Sequence, residues 1–334
     1  MPRMRSWRRP GSFLLTVVLP VAVAAAVGWY FYKILSRPEL RQVAFDLRFE
    51  WLLPAGLLYL TAHSLWGAFW TTLLRSQGLR VTLPQGLRGY FVSQFGKYVP
   101  GKVWVIFIRV TMLGKTGADQ LIVGVTATFE TLTSMAAGAF LGVLLLPLMA
   151  PGQIGGGGKA FWLLPVAALP VGLVLLNRLI VRVAAKRRGP EARPLPRVGM
   201  KLILRGLAQT SVGWLILGLS LWMVIQGLKP GAVPLTGENY LHLVAVNCLA
   251  YVFGFLAFFM PGGAGAREFL LAELLAFELV PAVGAAAAPG GAVVVALVLR
   301  LVWTVAEVCL ALTLYKAVSQ GAKAAAAPAE GVTV

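Results

Sequence analysis

The chain has 334 residues, of which 58% are hydrophobic and 13% are charged, with a formal net charge of +18. Soluble proteins carry charge on about a quarter of their residues, so this is a membrane-protein composition, and the length excludes a large soluble enzyme domain beside a membrane bundle. In so apolar a chain the positive charge indicates anionic lipid head groups, and not nucleic acid, as partners.

Eight segments are long and apolar enough to cross a membrane, which takes about 20 mostly apolar residues per helix. The first follows a basic N-terminus, but its length and the lack of a small-residue cleavage site indicate a retained helix and not a signal peptide. The seventh is the weakest, because it carries Glu273 and Glu278. The predicted spans are 13–35, 51–74, 120–149, 160–181, 203–228, 240–260, 267–285 and 291–315.

Two Pro-Gly sequences interrupt the apolar pattern. The first, Pro100-Gly101, lies in segment 89–112, which is predicted to be a re-entrant or buried hairpin. The second break, in segment 258–268, contains Pro261, Gly262, Gly263 and Gly265. Irregular backbone at membrane depth is tolerated only where protein buries it or it lines a wet cavity. Paired breaks of this kind therefore indicate a transport site.

The basic residues predict the orientation of the chain. They concentrate at the N-terminus, around the first break, in segment 182–205 and after the last span, so both termini are predicted to be cytoplasmic, in the cell (inner) membrane. Segment 182–205 is interpreted as a basic linker between two four-helix halves, residues 1–181 and 206–318, that form a parallel repeat. Residues 319–334 are predicted to be a disordered tail.

The first break carries two cations that suit an anion. Lys102 and Arg109 are seven residues apart, or two helical turns, so they share a helix face. A helix beginning near Gly101 would add free N–H groups and the positive end of its dipole. The alternative is that both side chains extend to the cytoplasmic interface. The glycine-rich second break with Arg267 resembles a phosphate-binding turn, but it lacks Walker and Rossmann spacing.

Further charges lie inside or beside predicted spans. These intramembrane charges are Glu130, Glu268, Arg300 and Glu307. Each costs at least about 2.5–3.5 kcal/mol on insertion scales, so each is expected to pair across helices, with a basic residue of the first break favoured for Glu130. They are either an ion-paired gate or structural bridges.

Other polar residues give no sign of chemistry. His63 and His242 have no evident partner and are interpreted as helix–helix contacts. Cys248 and Cys309 lie in apolar segments. No metal site, cofactor, catalytic residue or hydrolase motif is predicted.

The two breaks also resemble a known family. Tyr98-Val-Pro-Gly-Lys-Val-Trp104 with Arg109, and Pro261-Gly-Gly-Ala-Gly-Ala-Arg-Glu268, resemble two signatures of the flippase-like transmembrane domain of lysylphosphatidylglycerol synthases. The resemblance covers about residues 10–318. It implies lipid translocation or binding without the aminoacyltransferase domain of fused members, with Lys102, Arg109 and Arg267 as phosphate-binding residues. One departure is Thr131 after Glu130, where the family usually has arginine.

The leading interpretation is a lipid translocase, not an enzyme, that binds an anionic phospholipid or polyprenyl-phosphate head group. One alternative is a membrane transferase with a polyprenyl-phosphate donor, for which Asp46, Glu39 and Glu50 form the external acidic cluster. Another is a non-catalytic membrane scaffold. The lipid, the direction of transport, the energy source and homo-oligomerisation stay open.

Overall fold

The computed structural model describes residues 45–98, 103–114, 117–149, 198–257 and 263–325, with Met260 and isolated positions within 29–38 and 172–182. In this part of the chain all regular secondary structure is helical. The elements are α1 Phe49–Ser76, α2 Leu83–Ser93, a 3-10 helix Gln94–Tyr98, α3 Val103–Gly114, α4 Gln120–Met149, α5 Met200–Leu228, α6 Gly237–Leu256, α7 Ala266–Val283 and α8 Ala288–Ala325.

Five of these helices, α1, α4, α5, α6 and α8, are long and apolar enough to cross a membrane. They coincide with five predicted spans to within a few residues, apart from the longer C-terminal end of α8. Helix α7 matches the predicted span 267–285, but its 18 residues include four charged ones, and it is not among the candidate spans. The predicted spans 13–35 and 160–181 fall almost wholly outside the described residues.

Helix α1 packs most extensively against α5, because α5 offers small residues to the large aromatic side chains of α1. A methyl group added to Gly206 or Gly213 would collide with Phe69 or Trp66 of α1. The Trp66 indole N–H donates to the Thr210 carbonyl at 3.2 Å. Small residues let membrane helices approach closely, which explains the close packing of α1 on α5.

The first break separates two short helices that contact each other. Helix α2 begins at a capping box, in which the side chains of Thr82 and Gln85 each accept from the other's backbone N–H. The 3-10 helix lies so close to the start of α3 that a methyl group on Gly96 would be 2.6 Å from the Val105 nitrogen. Residues 99–102 lie outside the described residues, and a re-entrant path stays a prediction.

Two of the helices extend into segments that were predicted as linker and tail. Helix α5 begins at Met200, so the last residues of the predicted linker 182–205 are helical. Helix α8 continues through Ala325, so the predicted disordered tail 319–334 begins inside a helix, since its alanines favour helix most strongly. Helix α1 packs extensively on α5, and α4 on α6, so helices from before the predicted linker contact helices from after it. The division into two halves stays a prediction.

Candidate functional site

A cavity of about 250 Å³ lies among α1, α2, the 3-10 helix, α3, α4, α6 and the start of α7. Its wall combines cations with apolar and aromatic side chains. The cationic residues are Lys97, Arg109 and Arg267, and the acidic one is Glu130. The remaining wall includes His63, Trp66, Tyr90, Gln94, Val103, Ile106, Leu132, Met135, Tyr251 and Phe255. This composition suits a ligand with an anionic and an apolar part.

The first ion pair of the site joins α3 to α4. Arg109 donates from Nη1 to Glu130 Oε2 at 2.8 Å and from Nε to Ser93 Oγ at 3.0 Å. Both charged side chains are 2% exposed. The guanidinium also lies over the rings of Trp70 and Tyr90, 4.6 and 4.5 Å from their centroids. The cross-helix pair expected for Glu130 is therefore present, with Arg109 as its partner.

The second pair joins the 3-10 helix to α8. Lys97 Nζ donates to Glu307 Oε2 at 2.5 Å, and the Tyr59 hydroxyl of α1 donates to the same oxygen. Nearby, the hydroxyls of Tyr98 and Thr304 are 3.3 Å apart. The segment before the first break is thus fixed to α1 and α8 through one buried carboxylate.

The third cluster centres on Glu268, the third residue of α7. Its Oε1 accepts from Arg267 Nε at 3.0 Å and from Arg300 Nη1 of α8 at 2.7 Å. Its Oε2 accepts from the Gly265 backbone N–H at 2.7 Å. Arg267 lies over Tyr251, 5.3 Å from the ring centroid. Among the described residues, the terminal nitrogens of Arg267 have no hydrogen bond, so they are available to a ligand.

The glycine turn before α7 requires glycine at two positions. Gly263 and Gly265 have φ of 67° and 86°, which side chains disfavour. A methyl group on Gly263 would also lie 2.8 Å from the Gly254 carbonyl oxygen. Two N–H groups of the turn are used within it: that of Gly263 donates to the Met260 carbonyl and that of Gly265 to the Glu268 carboxylate. In so short a turn, the nearest acceptors for these N–H groups are a carbonyl of the turn itself and the carboxylate of Glu268.

The charges of these three clusters do not cancel. The cations are Lys97, Arg109, Arg267 and Arg300, and the acids are Glu130, Glu268 and Glu307. Four cations against three carboxylates leave one formal positive charge. A second pocket of about 20 Å³ adjoins the cavity and shares Lys97 and Arg267 with it. The excess charge lies beside the cavity and favours an anion there.

The pattern of breaks and buried charges agrees with a comparison to known families. A family model described as the lysylphosphatidylglycerol synthase transmembrane region matches residues 17–311. The chain belongs to this family. The match is to the membrane region, and no aminoacyltransferase domain is detected. A search of curated proteins finds no significant match.

In this member of the lysylphosphatidylglycerol synthase transmembrane-region family, the predicted site residues fall into three groups. Arg109, Glu130, Gly263 and Arg267 line the cavity. Gly265, Glu268, Arg300 and Glu307 belong to the ion-pair network beside it. Pro100, Gly101, Lys102, Pro261 and Gly262 lie outside the described residues. The part of the chain that is described contains no group of three metal-ligating side chains.

Sequence reasoning did not single out two residues of this family member that line the cavity. Lys97 was included only among the basic residues around the first break, although it stands in the same aromatic-rich segment as Pro100. His63 lines the cavity, which no local pattern indicated. His242 makes a helix–helix contact, as interpreted from the sequence, and its Nδ1 lies 3.2 Å from Glu278 Oε1. That partner is on the next helix, where spacing alone does not show it.

Proposed function

We propose that this membrane protein binds the phosphorylated head group of an anionic lipid in the cavity and passes it between the leaflets. The observation that carries the proposal is the excess positive charge at a partly apolar cavity. Arg267 is the main phosphate ligand, because its terminal nitrogens have no hydrogen bond among the described residues and its side chain is 12% exposed. Charge-assisted bonds from arginine are the strongest that a phosphate receives.

The cavity wall supports a lipid and not a soluble anion as the ligand. Val103 of α3 lines the cavity and is 63% exposed, so the cavity reaches the outer surface of α3. On the same helix Trp104 and Phe107 are 43% and 55% exposed. A lipid could therefore place its head group against the cations while its acyl chains stay along the apolar face of α3.

The two breaks supply the movement in this proposal. Lys97 and Val103 flank the first break, Gly263 belongs to the second, and all three line the cavity. A buried carboxylate bonds to a residue next to each break: Glu307 of α8 to Lys97, and Glu268 of α7 to the Gly265 N–H. A head group that competes for Lys97 or Arg267 weakens this attachment, so the helices around the breaks change position. The protein lies in the cell (inner) membrane with both termini in the cytoplasm, and Lys102 joins the phosphate ligands.

The test is lipid movement in vesicles that contain the purified protein. Fluorescent short-chain phosphatidylglycerol is placed in both leaflets, and an impermeant reductant quenches the outer one. Wild-type protein is expected to make the inner fraction accessible. Arg267→Gln removes the ligand cation but leaves Glu268 paired with Arg300, so the fold is retained. Losing a hydrogen bond to a charged group costs about 1.5–3 kcal/mol. Arg267→Gln is therefore expected to lower the affinity for the head group by about ten- to a hundredfold.

The matched control is Arg205→Gln, which removes an exposed arginine of α5 away from the cavity. It is expected to move lipid at the wild-type rate. Wild-type movement by Arg267→Gln would refute Arg267 as the phosphate ligand, whereas wild-type protein that moves no lipid would support the scaffold alternative. Asp46 does not support the transferase alternative, because its side chain is 57% exposed and is paired with Arg48 at 3.2 Å.

A further inference from the structure

The second pocket, of about 20 Å³, differs in its wall from the larger cavity. Three cationic side chains line it, those of Lys97, Arg267 and Arg300. Its other described wall residues are aromatic or carry a hydroxyl group, and none of them is acidic or aliphatic. The wall of the larger cavity, by contrast, includes Glu130 and several aliphatic side chains. The second pocket is therefore a small polar space with cations on its wall and no carboxylate among the described residues there.

The carboxylates that pair with these cations are more deeply buried than the cations themselves. Glu307 bonds to Lys97, and Glu268 bonds to both Arg267 and Arg300. The two acidic side chains are 1% and 2% exposed, whereas the three cationic side chains are between 12% and 25% exposed. The accessible surface of this cluster is thus contributed by its cations.

The charges of this cluster leave one positive charge in excess, because three cations face two carboxylates. The remaining pair of the network, Arg109 with Glu130, is neutral in itself. The excess charge of the whole network therefore belongs to the residues around the second pocket. One monovalent anion would cancel it, and the cost of a partly buried charge without compensation favours binding of such an ion.

The size of the pocket limits which anion it can hold. A cavity needs roughly 10–15 Å³ of such volume to hold one water molecule. The pocket, at about 20 Å³, therefore admits a single particle close to a water molecule in size. A chloride ion is only slightly larger than water, whereas a phosphate, with four oxygens around its phosphorus, is too large.

The wall also has groups that can donate to an anion. The guanidinium of Arg267 lies over the Trp303 ring, 5.2 Å from the ring centroid, and its terminal nitrogens have no hydrogen bond among the described residues. The hydroxyls of Tyr98 and Thr304 are 3.3 Å apart, so one donates to the other and the second proton is left for a further acceptor. Hydrogen bonds between a charged donor and an anion are the strong ones.

We propose that the second pocket binds one monovalent anion of the size of chloride, held by Lys97, Arg267 and Arg300. The site is separate from the head-group cavity, although Lys97 and Arg267 line both, and the inference goes beyond the proposed function. The anion neutralises the excess charge of the network in the protein that holds no lipid.

The experiment follows thermal unfolding of the purified protein in detergent by tryptophan fluorescence, while sodium chloride replaces sodium gluconate. Exchange of the anion at constant ionic strength leaves the screening of surface charges unchanged. An ion that binds only the folded protein shifts the folding equilibrium about a hundredfold at roughly 100 times its dissociation constant. The unfolding midpoint should therefore rise with chloride concentration, and the chloride NMR signal should broaden in the presence of the protein. Inorganic phosphate, which is too large for the pocket, should have neither effect of its own.

Arg300→Gln removes a cation that lines the second pocket and not the larger cavity. Glu268 keeps its bonds to Arg267 and to the Gly265 N–H in this variant. Loss of one charged donor should raise the chloride concentration that gives a set stabilisation by about ten- to a hundredfold.

Thr304→Leu keeps every charge but fills the pocket, so it should abolish the dependence on chloride. Thr313→Leu is the matched control, because it makes the same change at an exposed position of α8 that lines neither pocket. It should respond to chloride as wild type does.

Three results would overturn the site. Equal unfolding midpoints of wild-type protein in chloride and in gluconate, without broadening of the NMR signal, would mean that the pocket holds water, and this comparison needs no variant. Stabilisation by phosphate as large as that by chloride would assign the effect to the larger cavity. A wild-type response to chloride in Thr304→Leu would place the ion elsewhere. Lipid movement is not measured in this experiment, so its outcome is independent of the proposed function.

Discussion

The Arg109–Glu130 pair gives a prediction whose size follows from its burial. Removing one member of a buried ion pair costs about 3–5 kcal/mol, because the other charge stays buried without compensation. The loss of stability for Glu130→Gln should be near the lower end of this range, because Arg109 keeps its bond to Ser93 and its contacts with two aromatic rings. The loss for Arg109→Met should be near the upper end, because the Glu130 carboxylate keeps only a 3.5 Å contact with the Thr131 hydroxyl.

The double variant Arg109→Met with Glu130→Met tests whether the cost comes from the stranded charge. Replacing both partners by apolar residues of similar volume is often neutral for stability. The double variant should therefore be more stable than Arg109→Met alone, although it carries one more substitution. The cycle consists of wild type, Arg109→Met, Glu130→Met and the double variant, and unfolding in mixed micelles, followed by tryptophan fluorescence, measures all four.

Additive effects in this cycle would refute the reasoning, because they would mean that neither charge depends on the other. Arg205→Gln serves as the control and should lie within about 0.5 kcal/mol of wild type, as is usual for surface substitutions.

Three further outcomes are expected. Gly138→Ala places a methyl group 2.6 Å from the Trp214 ring and should lower the free energy of unfolding by about 1–3 kcal/mol, whereas Gly237→Ala, with no atom within 4 Å, should not lower it. Lys97→Met strands the carboxylate of its α8 partner and should cost about 3–5 kcal/mol in the same micelle assay. A hydrophobic maleimide should label exposed Cys309 in the folded protein and buried Cys248 only after denaturation; labelling of both at equal rates would contradict the packing of α6.

Most of the membrane helices could be predicted from the sequence, because a helix that crosses a membrane needs a long apolar run whatever it packs against. The first and last residues of these helices could not be predicted as closely. Helix α6 begins at Gly237 and not at residue 240, because the Thr236 side chain accepts from the Asn239 N–H and caps the helix. Such a cap lies outside the apolar run, so hydropathy does not register it.

The partners of the buried charges were harder to predict. Glu130 is 21 residues from Arg109, on the next helix, and a basic residue of the first break was expected to pair with it. Lys97 and Glu307 are 210 residues apart, and their contact depends on how α8 packs against the start of the bundle. The cost of burying a charge shows that a partner must exist, but only the packing decides which one.

The counter-ions already present in the network have a consequence for release. A phosphate that binds the terminal nitrogens of Arg267 shares this cation with Glu268, which keeps its bond to Nε, so the negative charge of the carboxylate opposes the phosphate. Its hold on the protein is then weaker than bare arginines would give. Equally, every cation of the network already contacts a carboxylate in the empty protein, and one positive charge remains in excess. Under the proposed function, release of the lipid and return of the empty protein would both then avoid a deep energy well.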